Sequence, residues 1–315
     1  MFSALASKPG APGRADRAVL CLAIALALAL WSGAARAQSA SCENPEVLRI
    51  SIAVQGNPQK QLGLYMPVLD FLSERSGKPV EIFIPRSYGS AVEALRRGWV
   101  QVGALSAGAY VKARSEDAGV EPFATNALKP GYLQPEGPGY QVVLISKIDS
   151  EIKRLESAKG AVAGLRDQES AAGYHVPRIV FGKLVGQDLE SYFSQVLYTG
   201  ADDLSTMAVF EGKVDVAFVT STGFDRMVRQ EMVRLEDFNV LWRSPPLPEN
   251  PFVYRAALCE DLKRIIADTF LTLHTQFQAR HFLDSFKASR MVPVSDLDYQ
   301  ILRDLRGARI KQPTD

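Results

Sequence analysis

Histidine and cysteine are scarce in this 315-residue chain, which contains three of each. Protein zinc sites are usually built from clusters of these residues, and no such cluster has metal-ligand spacing, so neither a metal nor another cofactor is expected. A hydrolytic triad needs a paired histidine; the three histidines are His175, His274 and His281, and no motif surrounds His274 or His281. The sequence therefore favours a protein that is not an enzyme.

An excess of charge of one sign is also lacking. The chain has 36 lysines and arginines against 35 aspartates and glutamates, which leaves a net charge of +1. Residues 1–37 alone carry a net charge of +3, so the remainder has a net charge of about −2. Nucleic-acid binding depends on a basic face, so no nucleic-acid partner is predicted and any recognition of anions must be local.

A hydrophobic run long enough to cross a membrane, about 20 residues, is missing as well. The apolar run Ala18–Trp31 follows two arginines and precedes "SGAARAQSA", which has the small-residue spacing that signal peptidase requires. This three-part pattern predicts a secretory signal peptide over residues 1–37, cleaved after Ala37. The run is too short for the alternative, a retained membrane anchor.

Cys42 and Cys259 would remain after removal of the signal peptide. Export to an oxidising compartment allows a disulfide between them. The alternative is two unpaired thiols. The sequence predicts the Cys42–Cys259 bridge.

Strand and helix patterns alternate along the chain. The strands "VLRISIAV", "PVEIFIP" and "VQVGALS" are separated by helices that end at Gly77 and Gly98, since glycine is favoured just after a helix. This βαβ order predicts an α/β fold with parallel pairing. The order recurs after residue 140, where "YQVVLISK" is a predicted strand and "DSEIKRLESAKG" a predicted helix.

Two proline-rich segments, "LKPGYLQPEGPG" and "PPLPENPF", interrupt this alternation and are typical of domain boundaries. They predict two lobes: lobe 1 comprises residues 46–135 and 252–312, and lobe 2 comprises residues 140–245. Ligands of α/β folds bind beyond the carboxyl ends of the strands. A ligand cleft is therefore expected between the lobes, with a hinge that can close it.

Several segments together resemble the phosphonate-type periplasmic solute-binding proteins, which capture oxyanions for ABC importers. They are "LRISIAVQGNP", "YMPVLDFLSERSGKPVEIFIPRSYGSAVEALRRGWVQVGALSAGAYVKA", "RDQESAAGYHVP", "YTGADDLSTMAVFEGKVDVAFV" and "RMVPVSDLDYQILRDLR". The resemblance implies a two-lobed periplasmic binding protein-like fold of type II. Each lobe would be a mostly parallel sheet flanked by helices, with the ligand cleft between the lobes.

The same resemblance implies the function and the partners. The protein would capture a small oxyanion, phosphonate-like or related, in the periplasm and deliver it to an ABC permease in the inner membrane. It would act as a monomer. Two alternatives use other partners: a ligand sensor that acts on a membrane histidine kinase, and a secreted hydrolase.

The motif "RDQESAAGYHVP" is the first candidate for the ligand site. It places Ser170, Ala171, Ala172 and Gly173 between a strand and a helix, and the N–H groups at a helix N-terminus bind anions. Plain capping of the helix by Ser170 is the alternative. The related family usually has Ser-Thr-Ser-Gly here, so two hydroxyl donors are absent and an anion held differently from phosphonate is expected.

The second candidate is "PRSYGS", with Arg86, Ser87 and Tyr88. The arginine could hold an oxyanion with two hydrogen bonds, and Tyr88 corresponds to an aromatic residue that the family places before a helix. The alternative for Arg86 is a solvated surface side chain.

Three further residues complete the candidate set. Ser106 and Tyr110 lie in "ALSAGAY", at a predicted strand end followed by a helix; this segment nearly matches the G-x-S-x-G pattern of hydrolases. Asp203 could accept the amino group of a zwitterionic ligand, or it could cap the next helix.

Overall fold

The computed structural model describes residues 42–52, 58–116, 119–166 and 170–308. The chain divides into two units, Met1–Glu43 and Asn44–Asp315, and every element given below lies in the second. The predicted signal peptide lies outside the described residues. Among the described helices, none combines the length and the apolar character that a membrane span requires.

The strands are numbered in chain order. They are β1 Leu48–Ser51, β2 Val80–Phe83, β3 Val102–Ala104, β4 Val120–Leu128, β5 Gly139–Tyr140, β6 Val142–Lys147, β7 Val162–Leu165, β8 Gln195–Tyr198, β9 Val216–Thr220, β10 Phe238–Arg243, β11 Leu247–Pro248, β12 Pro251–Arg255 and β13 Ala288–Pro293.

The helices are numbered in the same way, and α4 is π-helical. They are α1 Pro58–Ser76, α2 Tyr88–Arg96, α3 Ala107–Glu116, α4 Ala171–Phe181, α5 Gly182–Val185, α6 Leu189–Tyr192, α7 Asp202–Phe210, α8 Ser221–Arg229, α9 Glu260–Leu271, α10 Arg280–Ser285 and α11 Gln300–Gly307. Short 3₁₀ turns occupy Leu155–Ala158, Leu235–Asp237, Leu273–Thr275, Phe277–Ala279 and Asp296–Tyr299.

Lobe 1 contains a six-stranded sheet with the order β13-β4-β12-β3-β1-β2. Parallel pairing, which the βαβ alternation predicts, joins β1 to β2 and to β3. Strand β12 is antiparallel to β3 and β4. The chain returns from the other lobe through β11 and enters β12 directly. No helical crossover is needed, because β12 pairs antiparallel with its neighbours.

Lobe 2 contains a five-stranded sheet with the order β10-β6-β9-β7-β8. Strands β7, β8 and β9 pair in parallel, whereas β6 and β10 are antiparallel to their neighbours. The sheet draws its strands from residues 142–243, and that of lobe 1 from residues 48–128 and 251–293. The predicted lobe limits, 46–135 with 252–312 and 140–245, stay a prediction.

A two-stranded ribbon connects the lobes. Strands β5 and β11 belong to the two chain crossings and pair antiparallel, with Gly139 opposite Pro248. At Gly139 a Cβ would lie 2.5 Å from the carbonyl oxygen of Leu247, so the close approach of the two crossings requires glycine there. The two segments that connect the lobes are therefore held together, and we call the β5–β11 pair the hinge.

Three apolar clusters form the core. One packs α1 and α9 against the lobe 1 sheet and includes Ile50, Leu72 and Ile266. The second lies in lobe 2 under α7 and α8. The third includes Phe181 of α4 and Leu302 of α11, and α11 contacts both α3 and α4. The C-terminal helix thus stabilises the helix that follows the "RDQES" segment.

Cys42 and Cys259 are both disulfide-bonded. Alkylation without reductant, followed by mass spectrometry, is expected to leave both residues unmodified. Reduction is expected to lower the free energy of unfolding by about 2 to 4 kcal/mol, because a disulfide restricts the unfolded chain. Two alkylated cysteines in the unreduced protein would contradict the bridge.

Candidate functional site

A cleft of about 1020 Å³ lies between the two lobes. Its walls come from the carboxyl ends of β7 and β9, from α8, from the hinge and from the edge of the lobe 1 sheet. The residues that line it are Leu128, Lys129, Gln134, Tyr140, Arg166, Ser170, Ala171, Ala172, Asp202, Thr220, Thr222, Gly223, Asp225, Arg226, Arg229, Gln230, Glu249, Asn250, Phe286 and Lys287.

The N-terminus of α4 forms part of this wall. Ser170 caps the helix: its Oγ accepts the N–H of Gly173 at 2.9 Å, and its carbonyl oxygen accepts the N–H of Tyr174 at 2.9 Å. The N–H groups of Ala171 and Ala172 are the first of the helix, and they have no acceptor among the described residues. The positive end of the helix therefore presents two backbone donors to the cleft.

Arg166 lies beside these donors, directly after β7. A Cβ at Gly173 would be 2.3 Å from the Cβ of Arg166, so the arginine side chain packs against a backbone that only glycine leaves open. Its Nη1 lies 3.5 Å from Oδ2 of Asp202, and its side chain is 34% exposed. The arginine side chain is thus held in the cleft wall and remains partly exposed.

Asp202 links three elements of lobe 2. It is buried, and its carboxylate accepts the N–H of Thr220 at 3.1 Å and the hydroxyl of Thr220 at 2.7 Å. Thr220 in turn caps α8 by accepting the N–H of Gly223 at 3.0 Å. Because its lone pairs are engaged by Thr220 and Arg166, Asp202 orients the site and does not present a free carboxylate to a ligand.

Tyr140 and Glu249 form the hinge side of the cleft. Burial, together with the negative charges of Glu249 and Asp202, raises the pKa of Tyr140 to about 12, so its hydroxyl keeps its proton at neutral pH. Burial also raises the pKa of the Glu249 carboxyl above its ordinary value. The hinge side thus offers a hydroxyl donor and a carboxyl group that is protonated more readily than one in water.

This arrangement suits an oxyanion. Backbone N–H groups, a guanidinium group and a neutral hydroxyl converge on one cleft, and each of them donates hydrogen bonds to negative oxygen. Within the described ranges, no group of three or more histidine, cysteine, aspartate or glutamate residues is placed to hold a metal ion.

The structure brings together only part of the predicted site. Ser170, Ala171 and Ala172 line the cleft, and Gly173 lies buried behind them against Arg166. Arg86 and Ser87 are exposed before α2 and are not among the residues that line the cleft. Ser87 accepts the N–H of Ser90 at 3.2 Å as the cap of α2.

Tyr88 is the first residue of α2, and its side chain lies outside the described part of the chain. Ser106 caps α3, with its Oγ accepting the N–H of Ala109 at 3.1 Å. Tyr110 is fully buried, packs edge-to-face on Tyr299 at 4.7 Å and donates its hydroxyl to Asp296.

Asp203 is half-buried, and its carboxylate accepts the N–H of Leu204 at 3.1 Å. Its neighbour Asp202 is the aspartate that lines the cleft. The sequence interpretation also missed Arg166, Thr220, Tyr140 and Glu249. A signal existed for Arg166 and Thr220, because each stands at the carboxyl end of a predicted strand; Tyr140 and Glu249 had none, because their segments pair only through the hinge.

Glu249 predicts how anion binding depends on pH. Because its pKa is raised, the carboxyl takes up a proton as the pH falls, the cleft loses a negative charge, and a bound anion meets less repulsion. At about pH 8 we expect Glu249→Gln to bind methylphosphonate roughly tenfold more tightly than the unchanged protein. The two affinities should converge as the pH falls and the carboxyl of the unchanged protein becomes protonated.

Calorimetry at a series of pH values, from about pH 8 downward, measures the ratio of the two proteins' affinities for methylphosphonate. The protonation of methylphosphonate itself cancels in that ratio, because both proteins bind the same probe. A ratio that does not change with pH would contradict this role of Glu249. Weaker binding by the Glu249→Gln variant at the higher pH would indicate that the carboxylate assists binding.

Comparisons with known proteins agree with the architecture of the cleft. A family model for the periplasmic substrate-binding protein of phosphonate ABC transporters matches residues 50–299. The phosphonates-binding periplasmic protein of Escherichia coli (strain K12) is 26% identical over 283 residues, which cover 85% of this chain and 80% of that protein. The phosphate-import protein PhnD of Mycolicibacterium smegmatis is 24% identical over 307 residues, which cover 89% and 91%.

A solved structure shows the same fold. It is the binding protein component of an ABC phosphonate transporter from Pseudomonas aeruginosa, and it superposes with a TM-score of 0.55 at 24% identity, covering 84% of this chain and 86% of that one. The two-lobed periplasmic binding protein fold of type II that the sequence implies is thereby confirmed.

Proposed function

Because the chain belongs to the family of periplasmic substrate-binding proteins of phosphonate ABC transporters, we propose that its interlobe cleft binds a small oxyanion at the N-terminus of α4. Membership of the family supports a location in the periplasm, with a small solute and a membrane permease as partners. The family consists of binding components of transporters, not of enzymes. Removal of residues 1–37 as a signal peptide and action as a monomer are part of the proposal.

One observation carries the proposal. The two N–H groups of Ala171 and Ala172 and the guanidinium of Arg166 open onto the same cleft. They would surround an oxyanion that displaces water from it, and interactions of charged donors with oxyanions are stronger than neutral hydrogen bonds. The alanines offer no hydroxyl, so the backbone and Arg166 would supply the donors.

The names of two relatives support this choice of ligand: one is a phosphonates-binding protein and the other is a phosphate-import protein. Both ligands are tetrahedral oxyanions with several negatively polarised oxygens. Closure of the two lobes about the β5–β11 hinge would remove the ligand from water. A transporter component gains from this, because a permease can then distinguish the closed, loaded form from the open one.

A thermal-shift screen of residues 38–315 tests the proposal. The panel contains phosphite, methylphosphonate, phosphate, sulfate and acetate, at constant ionic strength. We expect at least one tetrahedral oxyanion to raise the melting temperature, because a ligand that binds only the folded state stabilises it, and acetate to have little effect. If none of the oxyanions raises the melting temperature, the proposal is wrong. Light scattering after size-exclusion chromatography tests whether the protein is a monomer.

A further inference from the structure

The outer end of the cleft contains a second set of cations. Helix α8 begins at the anion-binding end, and its residues Thr222, Gly223, Arg226 and Arg229 line the same cleft. The rise of an α-helix places Arg226 and Arg229 about 6 to 10 Å farther along the axis than Thr222. Lobe 2 therefore extends a line of positive charge from the helix N-terminus toward the outer end of the cleft.

Lobe 1 contributes two lysines to this end. Lys129 follows β4 and Lys287 precedes β13, and both line the cleft. The N–H of Lys129 donates to the carbonyl oxygen of Lys287 at 2.7 Å, and the N–H of Lys287 donates to that of Asp284 at 3.0 Å. Lys287 adopts a left-handed conformation with φ 55°, which these two backbone bonds hold. The turn thus fixes the backbone positions of both lysines.

Acidic partners balance only part of this charge. Lys129 pairs with Asp284 at 2.6 Å, and Arg229 lies 4.0 Å from Asp225. The Asp225 carboxylate also accepts the N–H groups of Leu133 and Gln134. Arg226 is exposed and makes no ion pair or side-chain hydrogen bond with the residues that the structure describes. We call Lys129, Arg226, Arg229 and Lys287 the outer cationic rim; with Asp225 and Asp284 included, its net charge is +2.

The rim has cations on both lobes. When the hinge closes, like charges on facing walls approach one another and oppose closure, because Coulomb repulsion grows as the separation falls. An anionic group between the walls would reverse the sign of this effect. The rim would therefore favour closure only around a ligand that brings negative charge to the outer end.

We propose that the ligand carries a second anionic group, such as a phosphoryl or carboxylate group, and that the outer cationic rim binds it. This inference rests on the proposed function, since the first group occupies the site at Ser170–Ala172. The cleft volume of about 1020 Å³ is at the upper end of small-molecule sites, which leaves room for such a two-ended anion.

Calorimetry with a length series of probes tests the inference. Methylphosphonate has one anionic end, and alkane-α,ω-bisphosphonates with two to six methylene groups have two ends at increasing separation. The best two-ended probe is expected to bind about tenfold more tightly than methylphosphonate, since a further charge-assisted contact contributes about that factor. The gain should peak at one chain length, because the folded protein holds the two sites at one separation.

The double variant Arg226→Gln/Arg229→Gln supplies the second measurement. We expect it to reduce the ratio of two-ended to one-ended affinity to about one. The control Arg154→Gln/Lys183→Gln removes the same charge from exposed positions of lobe 2 outside the cleft and should retain the tenfold ratio at the same ionic strength.

The outcomes separate the two hypotheses. If methylphosphonate binds but no bisphosphonate binds more tightly, or if both double variants retain the same ratio, the second anionic group is refuted and the proposed function stands. If none of these probes binds but an oxyanion of the thermal-shift panel does, the second anionic group is likewise refuted and the proposed function stands; if no oxyanion of either set binds, both fail. A loss of the gain that is confined to the Arg226/Arg229 variant supports the inference.

Discussion

Arg166→Gln is expected to abolish the rise in melting temperature that an oxyanion produces. The substitution removes the guanidinium beside the N-terminus of α4 and leaves the backbone donors of Ala171 and Ala172 in place. Hydrogen bonds to charged groups contribute about 1.5 to 3 kcal/mol, so affinity should fall about 10- to 100-fold. Calorimetric titration of the variant with the anion that stabilises the unchanged protein measures the loss.

Arg86→Gln is the matched comparison. Arg86 is the arginine that the sequence offers as a candidate, with a solvated surface side chain as the alternative, whereas the structure places Arg166 in the cleft and Arg86 among the exposed residues before α2. Both substitutions remove one positive charge. We expect the Arg86 variant to bind within about threefold of the unchanged protein, as a distant exposed charge is screened by salt. A loss of binding confined to Arg86→Gln would place the site at α2 and contradict the cleft described above.

Gly139→Ala is expected to destabilise the folded protein. The added Cβ would lie 2.5 Å from the carbonyl oxygen of Leu247 and 3.3 Å from its carbonyl carbon. The neighbour is backbone, so no change of rotamer can relieve the contact and the two crossing strands must separate. Overpacking of this kind costs about 2 to 3 kcal/mol, and guanidinium-induced unfolding followed by circular dichroism measures it.

Gly108→Ala controls for the effect of adding a methyl group to a glycine. Gly108 lies in α3, and a Cβ there would meet no atom within 4 Å. Alanine favours the helix relative to glycine, so the variant should be unchanged or up to about 1 kcal/mol more stable. Equal unfolding midpoints for the two alanine variants would contradict a close-packed hinge at Gly139.

Much of the architecture could be predicted because it depends on local patterns. The βαβ alternation and the glycines after helices are read along the chain, and Gly77 and Gly98 do adopt the positive φ values of helix ends, 66° and 72°. The helix predicted from "DSEIKRLESAKG" was wrong, as that segment contains only a 3₁₀ turn at Leu155–Ala158. The hydroxyl of Ser150 donates to the carbonyl oxygen of Lys147 at 2.7 Å, a local bond that competes with helix formation.

The candidate site could be predicted only where a single segment forms it. Ser170, Ala171 and Ala172 are consecutive at a strand end, so their place in the cleft follows from the order of the elements. Asp202 and Asp203 could not be told apart in this way. Consecutive residues of a helix point about 100° apart, and only the packing of α7 against β9 directs Asp202 toward Thr220 and Arg166.

The sequence by itself determined the class of fold, the family and the helix N-terminus that faces the cleft, because each depends on residues that are close together in the chain. Tertiary structure alone decided which charges share the cleft. Arg166, Glu249 and Lys287 are separated by tens of residues or more, and they meet because two chain crossings pair at β5 and β11 and bring the sheet edges of both lobes together. Such distant encounters leave no periodic signal in a single sequence, since the spacing between the partners is free to vary while the contact is kept.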